Sequence, residues 1–426
     1  MLLAYDGMEC AANKLYNAGV QALGNSATNP YDGKFCYAGS ANGVVREQPN
    51  WGSSLTDSAY YWGHMAFRLD SVSTVGTIVL FYDGNAPTTA SNYLIKIPVT
   101  STGGVGSGTS IDLYKNGTTS GGTSLSSTAF TFAEDTWYWI AVRFGRASPY
   151  PIEVWVDDVK IVDYAGDAAN PQPSRGRFCY GTGNDGGKGA YTVMLDDLIV
   201  LDDQDTGTGY TTRLAKGLKD IVGLQPTNDV TGWNDFTAST GTKKYRCVDD
   251  YYDHVGTPAS PTDYVQLTTS TGSQLFALAD DLTVTGQVDA IEPFSLTANQ
   301  KIADDAMILW VDGEAKYEYA EWALPQGGFR YPSDGSQPCR MTTPAGNAWT
   351  ATTLDNLFIG LRRYTSSATA FQSEIFMLEV IGEGLTRPAD NANSDNGDVS
   401  PPTAPSTTAV NRVYQLNQAV NRSNTY

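Results

Sequence analysis

Hydrophobic and polar residues alternate with a period of two along much of the chain, as in β-strands that bury one face. In residues 136–144 one side of the predicted strand carries large apolar side chains, namely Tyr138, Ile140, Val142 and Phe144. The opposite side carries Trp137, Trp139, Ala141 and Arg143. We therefore expect the first set to lie in a core and the second set to lie on an outer face.

The next predicted strand, residues 152–162, alternates in the same way. Ile152, Val154 and Val156 form its apolar side, opposite Glu153, Trp155 and Asp157. Because the two segments follow each other closely, we expect adjacent strands with Trp139 and Trp155 together on their outer face.

Further strands with turn residues between them predict a β-sandwich over residues 1–205. A first strand is expected in residues 2–9 and a short helix in residues 11–18. The remaining strands are predicted at 60–69, 77–82, 93–98, 110–114, 136–144, 152–162 and 191–201.

Residues 206–387 repeat the all-β pattern and predict a second sandwich domain. Its strands are expected at 264–268, 282–289, 307–311, 329–331, 357–362 and 373–381. Near-absence of helical periodicity in both domains favours an all-β fold with little helix.

The C-terminal part of the chain differs in composition. Residues 388–408 are rich in Pro, Ser, Thr and Asn, which predicts a linker. Residues 409–426 contain Ala-Val-Asn-Arg at 409–412 and again at 419–422. We interpret this segment as an extended assembly arm that contacts a neighbouring subunit through Val410, Val413, Tyr414, Leu416 and Val420.

Charge and cysteine content exclude several classes of function. The formal net charge is -19, which repels phosphate backbones and argues against nucleic-acid binding. No apolar run is long enough to span a bilayer, and residues 1–6 do not resemble a signal peptide. The five cysteines form no CxxC pair, so we expect free thiols and no disulfide framework.

Candidate catalytic and metal-binding residues are sparse. Glycoside hydrolysis needs two opposed carboxylates, and the nearest pair is Glu153 and Asp157. The two histidines, His64 and His254, fall in different predicted domains. We therefore expect no catalytic residues, no enzyme activity, no metal site and no cofactor. Calcium is the alternative, because acidic turns occur at 157–158, 202–205, 249–253, 280–281 and 304–305.

Aromatic residues supply the candidate ligand or partner patch. Trp139 and Trp155 are the best pair for stacking on a sugar ring, and Trp51, Tyr60, Tyr61 and Trp62 form a second group. The alternative is that these side chains lie beneath a loop or against protein.

Short motifs give the chain a resemblance to a known family. Those of the first half are Tyr5-Asp6-Gly7-Met8-Glu9, Trp137-Tyr138, Val156-Asp157-Asp158 and Leu195-Asp196-Asp197. Those of the second half are 218–226 with Trp233, 248–250, 263–265, 344–350 and 354–361. In this order the motifs resemble a tailed-phage virion protein that has a concanavalin A-like, laminin-G-type β-sandwich.

The resemblance implies a jelly-roll sandwich, a second sandwich domain and an extended arm. It also implies a structural component of the virion, in the tail, baseplate or capsid decoration, made in the host cytoplasm. The expected partners are other virion proteins and further copies of this chain, with host-surface glycan as an added ligand. The alternative function is a lectin-like protein that adheres to surface polysaccharide.

Overall fold

The computed structural model describes residues 2–6, 24–26, 36–40, 60–72, 76–83, 91–102, 105–117, 122–145, 148–166, 178–184, 191–202, 220–239, 241–248, 264–268, 271–278, 282–298, 305–314, 316–320, 342–363 and 371–386. The chain divides into two compact units between Ile221 and Val222. The boundary predicted at 205/206 lies outside the described residues, and so do the predicted linker, 388–408, and arm, 409–426.

The N-terminal unit consists of antiparallel strands. They are β1 (Leu2–Asp6), β2 (Gly24–Ser26), β3 (Cys36–Ser40), β4 (Tyr60–Val72), β5 (Gly76–Asp83), β6 (Ser91–Thr102), β7 (Val105–Gly117), β8 (Thr123–Ala133), β9 (Trp137–Gly145), β10 (Ile152–Val156), β11 (Val159–Tyr164), β12 (Phe178–Asn184) and β13 (Tyr191–Asp202). The larger sheet has the order β11-β10-β9-β4-β13-β3-β2, with β1 also paired to β13. The smaller sheet has the order β12-β5-β6-β7-β8.

A hydrophobic core lies between these two sheets, as the alternation predicts. The larger sheet contributes Met65, Phe67, Ile140, Val142, Ile152, Val154, Val156, Val193 and Leu195. The smaller sheet contributes Ile95, Ile97, Ile111, Leu113 and Phe132. These side chains are almost completely buried, so the predicted core side of β9 and β10 is confirmed.

A tight turn joins β10 to β11. Asp157 and Asp158 have φ angles of 47° and 68°, the left-handed conformation that both central residues of a type I′ hairpin turn adopt. Aspartate tolerates this conformation better than most residues. The predicted single strand 152–162 is therefore wrong, because the Val-Asp-Asp turn divides it into two strands.

The connection from β8 to β9 is fixed by an ion pair and backbone hydrogen bonds. The Arg68 guanidinium lies 2.8 Å from Asp135 and 3.3 Å from Asp70. The Asp135 amide donates to the Leu69 carbonyl at 2.8 Å. The Tyr138 hydroxyl accepts from the Ala133 amide, also at 2.8 Å. Together these contacts hold the start of β9 beside β4.

The C-terminal unit is also formed from antiparallel strands. They are β14 (Asp220–Leu224, which crosses the division), β15 (Pro226–Asn234), β16 (Thr237–Ala238), β17 (Val265–Leu267), β18 (Gly272–Leu278), β19 (Thr283–Val284), β20 (Val288–Ala298), β21 (Asp305–Val311), β22 (Lys316–Ala320), β23 (Leu357–Arg363), β24 (Phe371–Gly382) and β25 (Leu385–Thr386). One sheet has the order β14-β24-β17-β16, with β20 also paired to β24, and another has the order β15-β18-β23-β21-β22. A two-stranded sheet pairs β19 with β25.

Residues from both five-stranded sheets form the second core, which includes Phe276, Ile291, Leu361, Leu378 and Val380. The short helix α1 (Ala351–Asp355) adds Leu354 to it. Thr350 caps this helix, since its hydroxyl accepts from the Thr353 amide at 3.2 Å. The Thr353 hydroxyl accepts in return from the Thr350 amide at 2.7 Å, which completes a capping box.

The all-β, two-sandwich fold predicted from the sequence is confirmed, but several strand predictions are not. Residues 282–289 do not form one strand: β19 ends at Val284 and β20 begins at Val288. Strands β8, β12, β15, β18 and β22 are among those that were missed, and the helix predicted at 11–18 and the strand predicted at 329–331 lie outside the described residues. β15 reads as a turn because it contains Asn228 and Asp229. The Asp229 carboxylate accepts from the Lys244 and Tyr245 amides, both at 2.9 Å, which explains why a polar residue is buried in this strand.

Candidate functional site

The candidate site lies on the outer face of the larger N-terminal sheet, the side opposite the core. Cross-strand register brings its residues into rows. Trp62 on β4 pairs with Arg143 on β9, and Arg143 pairs with Glu153 on β10. In the next row Ala141 lies between His64 and Trp155, and Trp155 pairs with Lys160 on β11. The small Ala141 side chain leaves room for the aromatic rings around it.

We define the rim cluster as five of these residues, Trp62, Arg143, Glu153, Trp155 and Lys160, together with Tyr60 at the start of β4. The rings of Trp62 and Trp155 are 6.1 Å apart between centroids, with an interplanar angle of 46°. Tilted aromatic pairs at this separation attract each other beyond simple burial of area. The two indoles therefore form the floor of the cluster.

Two cations lie over the aromatic rings. The Arg143 guanidinium carbon is 3.5 Å from the centroid of the Tyr60 ring and 5.3 Å from that of Trp62. The Lys160 ammonium is 4.8 Å from the centroid of Trp155. Cation–π contacts of this kind stabilise by about 0.5–1 kcal/mol at exposed sites. Each cation thus has a defined position above the floor.

Glu153 connects the two cations. One carboxylate oxygen lies 3.4 Å from Arg143 Nη1, and the other accepts from Lys160 Nζ at 2.9 Å. Lys160 also contacts Asp163 at 3.1 Å. The hydrogen bond to Glu153 raises the pKa of the Lys160 ammonium above its ordinary value, so Lys160 is cationic at neutral pH.

Burial distinguishes the floor of the cluster from its accessible edge. Trp62 and Trp155 are only 9% and 8% exposed. The Arg143 and Lys160 side chains are 25% and 36% exposed, and Tyr60 is half-buried. A ligand would therefore meet cationic and phenolic groups first, with the indoles beneath them.

The predicted ligand or partner patch is only partly described. Trp139 lies on the outer face as the alternation predicts, but it is fully buried, with its ring 4.5 Å from that of His64. Trp155 and Trp62 belong to the rim cluster. Trp51, the Tyr61 side chain and the arm residues Val410, Val413, Tyr414, Leu416 and Val420 lie outside the described residues.

The Glu153 and Asp157 pair, considered for hydrolysis, has two separate roles in the structure. Glu153 binds the cations of the rim cluster. The Asp157 carboxylate accepts from the Trp139 amide at 3.0 Å, which anchors the hairpin turn against β9. This hydrogen bond assigns Asp157 to the support of the turn.

The described residues place no three of His, Cys, Asp and Glu close enough to hold a metal ion. Asp196 and Asp197 lie at a bulge in β13, where both are fully buried, and the Asp197 amide donates to the Asp196 carboxylate at 3.0 Å. Of the acidic turns considered for calcium, only 157–158 is described, apart from Asp202 and Asp305 at strand ends. Calcium binding stays a prediction.

Three residues of the outer face were not proposed as site residues from the sequence: His64, Arg143 and Lys160. Arg143 had a usable signal, because the alternation places it on the same side of β9 as Trp139. The signal for Lys160 was weaker: a hairpin turn at 157–158 places Lys160 on the strand beside Trp155. His64 gave no signal beyond its residue type. No helix among the described residues is long and apolar enough to cross a membrane.

No protein-family model matches the chain, and no curated protein matches it. Solved structures do. The cellulose induced protein Cip1 is 12% identical over 47% of this chain and 97% of its own, with a TM-score of 0.33. An endo-beta-1,4-glucuronan lyase from the fungus Trichoderma reesei is 12% identical over 49% and 97%, with a TM-score of 0.30. The metal-free carbohydrate recognition domain of Emp46p is 13% identical over 47% and 99%, with a TM-score of 0.29.

Each of these likenesses covers less than half of this chain. The prediction that the protein is not an enzyme is contradicted, because a polysaccharide lyase is among the similar structures. At this level of identity no residue role transfers from any of these proteins.

Proposed function

We propose that the protein binds a carbohydrate at the rim cluster. The observation that carries the proposal is a patch whose accessible edge presents charged hydrogen-bonding groups and the Tyr60 ring above two buried indoles. Sugars offer hydroxyl groups that donate and accept, together with C–H faces that pack on aromatic rings. Arg143 and Lys160 are donors, Glu153 is an acceptor, and Tyr60 supplies a ring with a hydroxyl.

The surrounding contacts support the proposal because they fix these groups before a ligand arrives. Glu153 binds both cations, and the rings of Tyr60, Trp62 and Trp155 lie beneath them. Groups that are already held in place lose less conformational entropy when a ligand binds. The cluster also lies on paired strands, which hold side chains more rigidly than loops do.

Replacing Lys160 with alanine is expected to weaken carbohydrate binding by about tenfold, the loss of one charge-assisted hydrogen bond. The measurement is the affinity of the full chain for dextran, mannan and galactan by calorimetry or an immobilised-polymer assay. Lys115→Ala is the matched control, since it removes the same charge from β7 in the smaller sheet. Equal weakening by both changes, or binding to no polymer by the unaltered protein, would exclude the rim cluster as the site.

A second proposal concerns the assembly in which the protein acts. It rests on the series of short motifs that resembles a tailed-phage virion protein. The protein is proposed to assemble with other subunits of a tailed-phage particle through residues 388–426. Burial of the apolar residues in 409–426 on a partner would contribute about 1.5–3 kcal/mol for each large side chain. The repeated Ala-Val-Asn-Arg segment supports two linked contacts of similar kind.

Truncation after Arg387 is expected to leave both sandwiches folded and to abolish incorporation into particles or oligomers. Circular dichroism and thermal denaturation measure the first result, and sedimentation with particle proteomics measures the second. The truncation removes no residue of either described core, so a folding defect is not expected. Normal assembly of the truncated chain would contradict the proposal that residues 388–426 mediate assembly.

A further inference from the structure

The described charges of the rim cluster and of its neighbour Asp163, which contacts Lys160, balance one another. Among the described residues, Arg143 and Lys160 contribute two positive charges, while Glu153 and Asp163 contribute two negative ones. Glu153 is the least exposed of the four, at 16% for its side chain, and Asp163 is the most exposed, at 67%. Of these two carboxylates, Glu153 contacts both cations and Asp163 contacts Lys160, so Glu153 is the group that links the cations.

The net charge of the whole chain also opposes the binding of a negatively charged ligand. At a net charge of -19 the protein repels an approaching polyanion over the screening distance of about 8 Å at physiological salt. A local excess of positive charge could overcome that repulsion, as in sites that bind carboxylates or phosphates. Among the described residues, the rim cluster taken together with its neighbour Asp163 has no such excess, because Glu153 and Asp163 offset the two cations.

We infer that the ligand is an uncharged glycan and that Glu153 determines this specificity. The inference rests on the proposed carbohydrate binding and adds the class of sugar. In this arrangement the two cations donate hydrogen bonds to sugar hydroxyls, and the Glu153 carboxylate accepts hydrogen bonds from sugar hydroxyls. A uronate or sulfate group would have to compete with Glu153 for both cations, and its charge would lie close to that of Glu153. Such like-charge contacts reject the wrong ligand, a recognised means of specificity.

Glu153→Gln separates charge from shape, since the amide keeps the size and one acceptor but loses the negative charge. The unaltered protein is expected to bind dextran, mannan or galactan with little dependence on salt. It is expected to bind polygalacturonate and hyaluronan at least about tenfold more weakly. Glu153→Gln is expected to strengthen polygalacturonate binding by about tenfold at low salt, and this gain should disappear as salt is raised.

Asp163→Asn is the matched control. It removes the same charge from an exposed residue that contacts Lys160 but not Arg143, so its effect on polygalacturonate binding should be under about threefold. Tighter binding of the acidic polymers than the neutral ones by the unaltered protein would overturn the inference while leaving carbohydrate binding in place. Binding to neither class would overturn both. The comparison of polymers with the unaltered protein decides the matter even if Glu153→Gln does not fold.

Discussion

Replacing Ile140 with alanine is expected to lower the free energy of unfolding by about 2–5 kcal/mol. Ile140 is 1% exposed and lies at the centre of β9, where it pairs with Met65 on β4 and Val156 on β10. Both neighbours belong to the same core, so the shortened side chain leaves a cavity that two rigid strands cannot close. Chemical denaturation of the full chain, followed by tryptophan fluorescence, measures the change.

Val159→Ala is the matched control for this experiment. Val159 is also β-branched and lies in the same sheet, but it is 59% exposed. Its replacement is expected to change the free energy of unfolding by less than about 0.5 kcal/mol. A cost below about 0.5 kcal/mol for Ile140→Ala would mean that the core side of β9 is assigned to the wrong face.

The sequence predicts the two faces of β9 and β10 because side chains alternate strictly along a strand. A shift of one residue would place Ile140 and Val142 on the outer face, and the core would lose its largest aliphatic side chains there. This requirement makes the assignment robust without knowledge of the neighbouring strands. Register is a different matter, because the pairing of Arg143 with both Trp62 and Glu153 depends on which strands become neighbours.

Burial of the outer face does not follow from alternation alone, and for Trp139 and Trp155 it was the alternative to an exposed ligand patch. The pattern places Trp139 and Trp155 on the side opposite the core and expects that side to be polar or solvent-exposed. Both indoles are buried, and cations or the His64 ring lie against them. Which groups cover the outer face of a sheet depends on the tertiary structure, and the alternation within one strand does not reveal them. Its prediction of location was therefore better than its prediction of accessibility.

Strand β15 was missed for a different reason, which is that its composition favours turns. β15 contains Pro226, Asn228 and Asp229, residues that favour turns, and the sequence accordingly gave no strand there. The Asp229 carboxylate is satisfied by two backbone amides near the helical turn Tyr245–Cys247. Such a contact between segments distant in sequence is not visible from local propensity. Tertiary hydrogen bonding thus overrides the composition of the strand.

Replacing Gly360 with alanine is expected to lower the stability of the C-terminal unit by about 3 kcal/mol, the upper end of the usual range for overpacking. Gly360 lies in the middle of β23, between β18 and β21. An added Cβ would lie 1.9 Å from the Gln274 carbonyl oxygen and 2.8 Å from a methyl carbon of Leu275. A side chain could rotate away, but the Gln274 carbonyl belongs to the backbone of β18. The strand pair itself must therefore shift.

The test is chemical denaturation of Gly360→Ala beside Thr352→Ala, a change at an exposed position of α1 in the same unit. The control is expected to stay within about 0.5 kcal/mol of the unaltered protein. An effect of Gly360→Ala below about 1 kcal/mol would show that β18 and β23 approach less closely than described. The expected loss follows from close packing, since Gln274, Leu275 and Leu361 around this glycine are fully buried and leave no space into which the strands can relax.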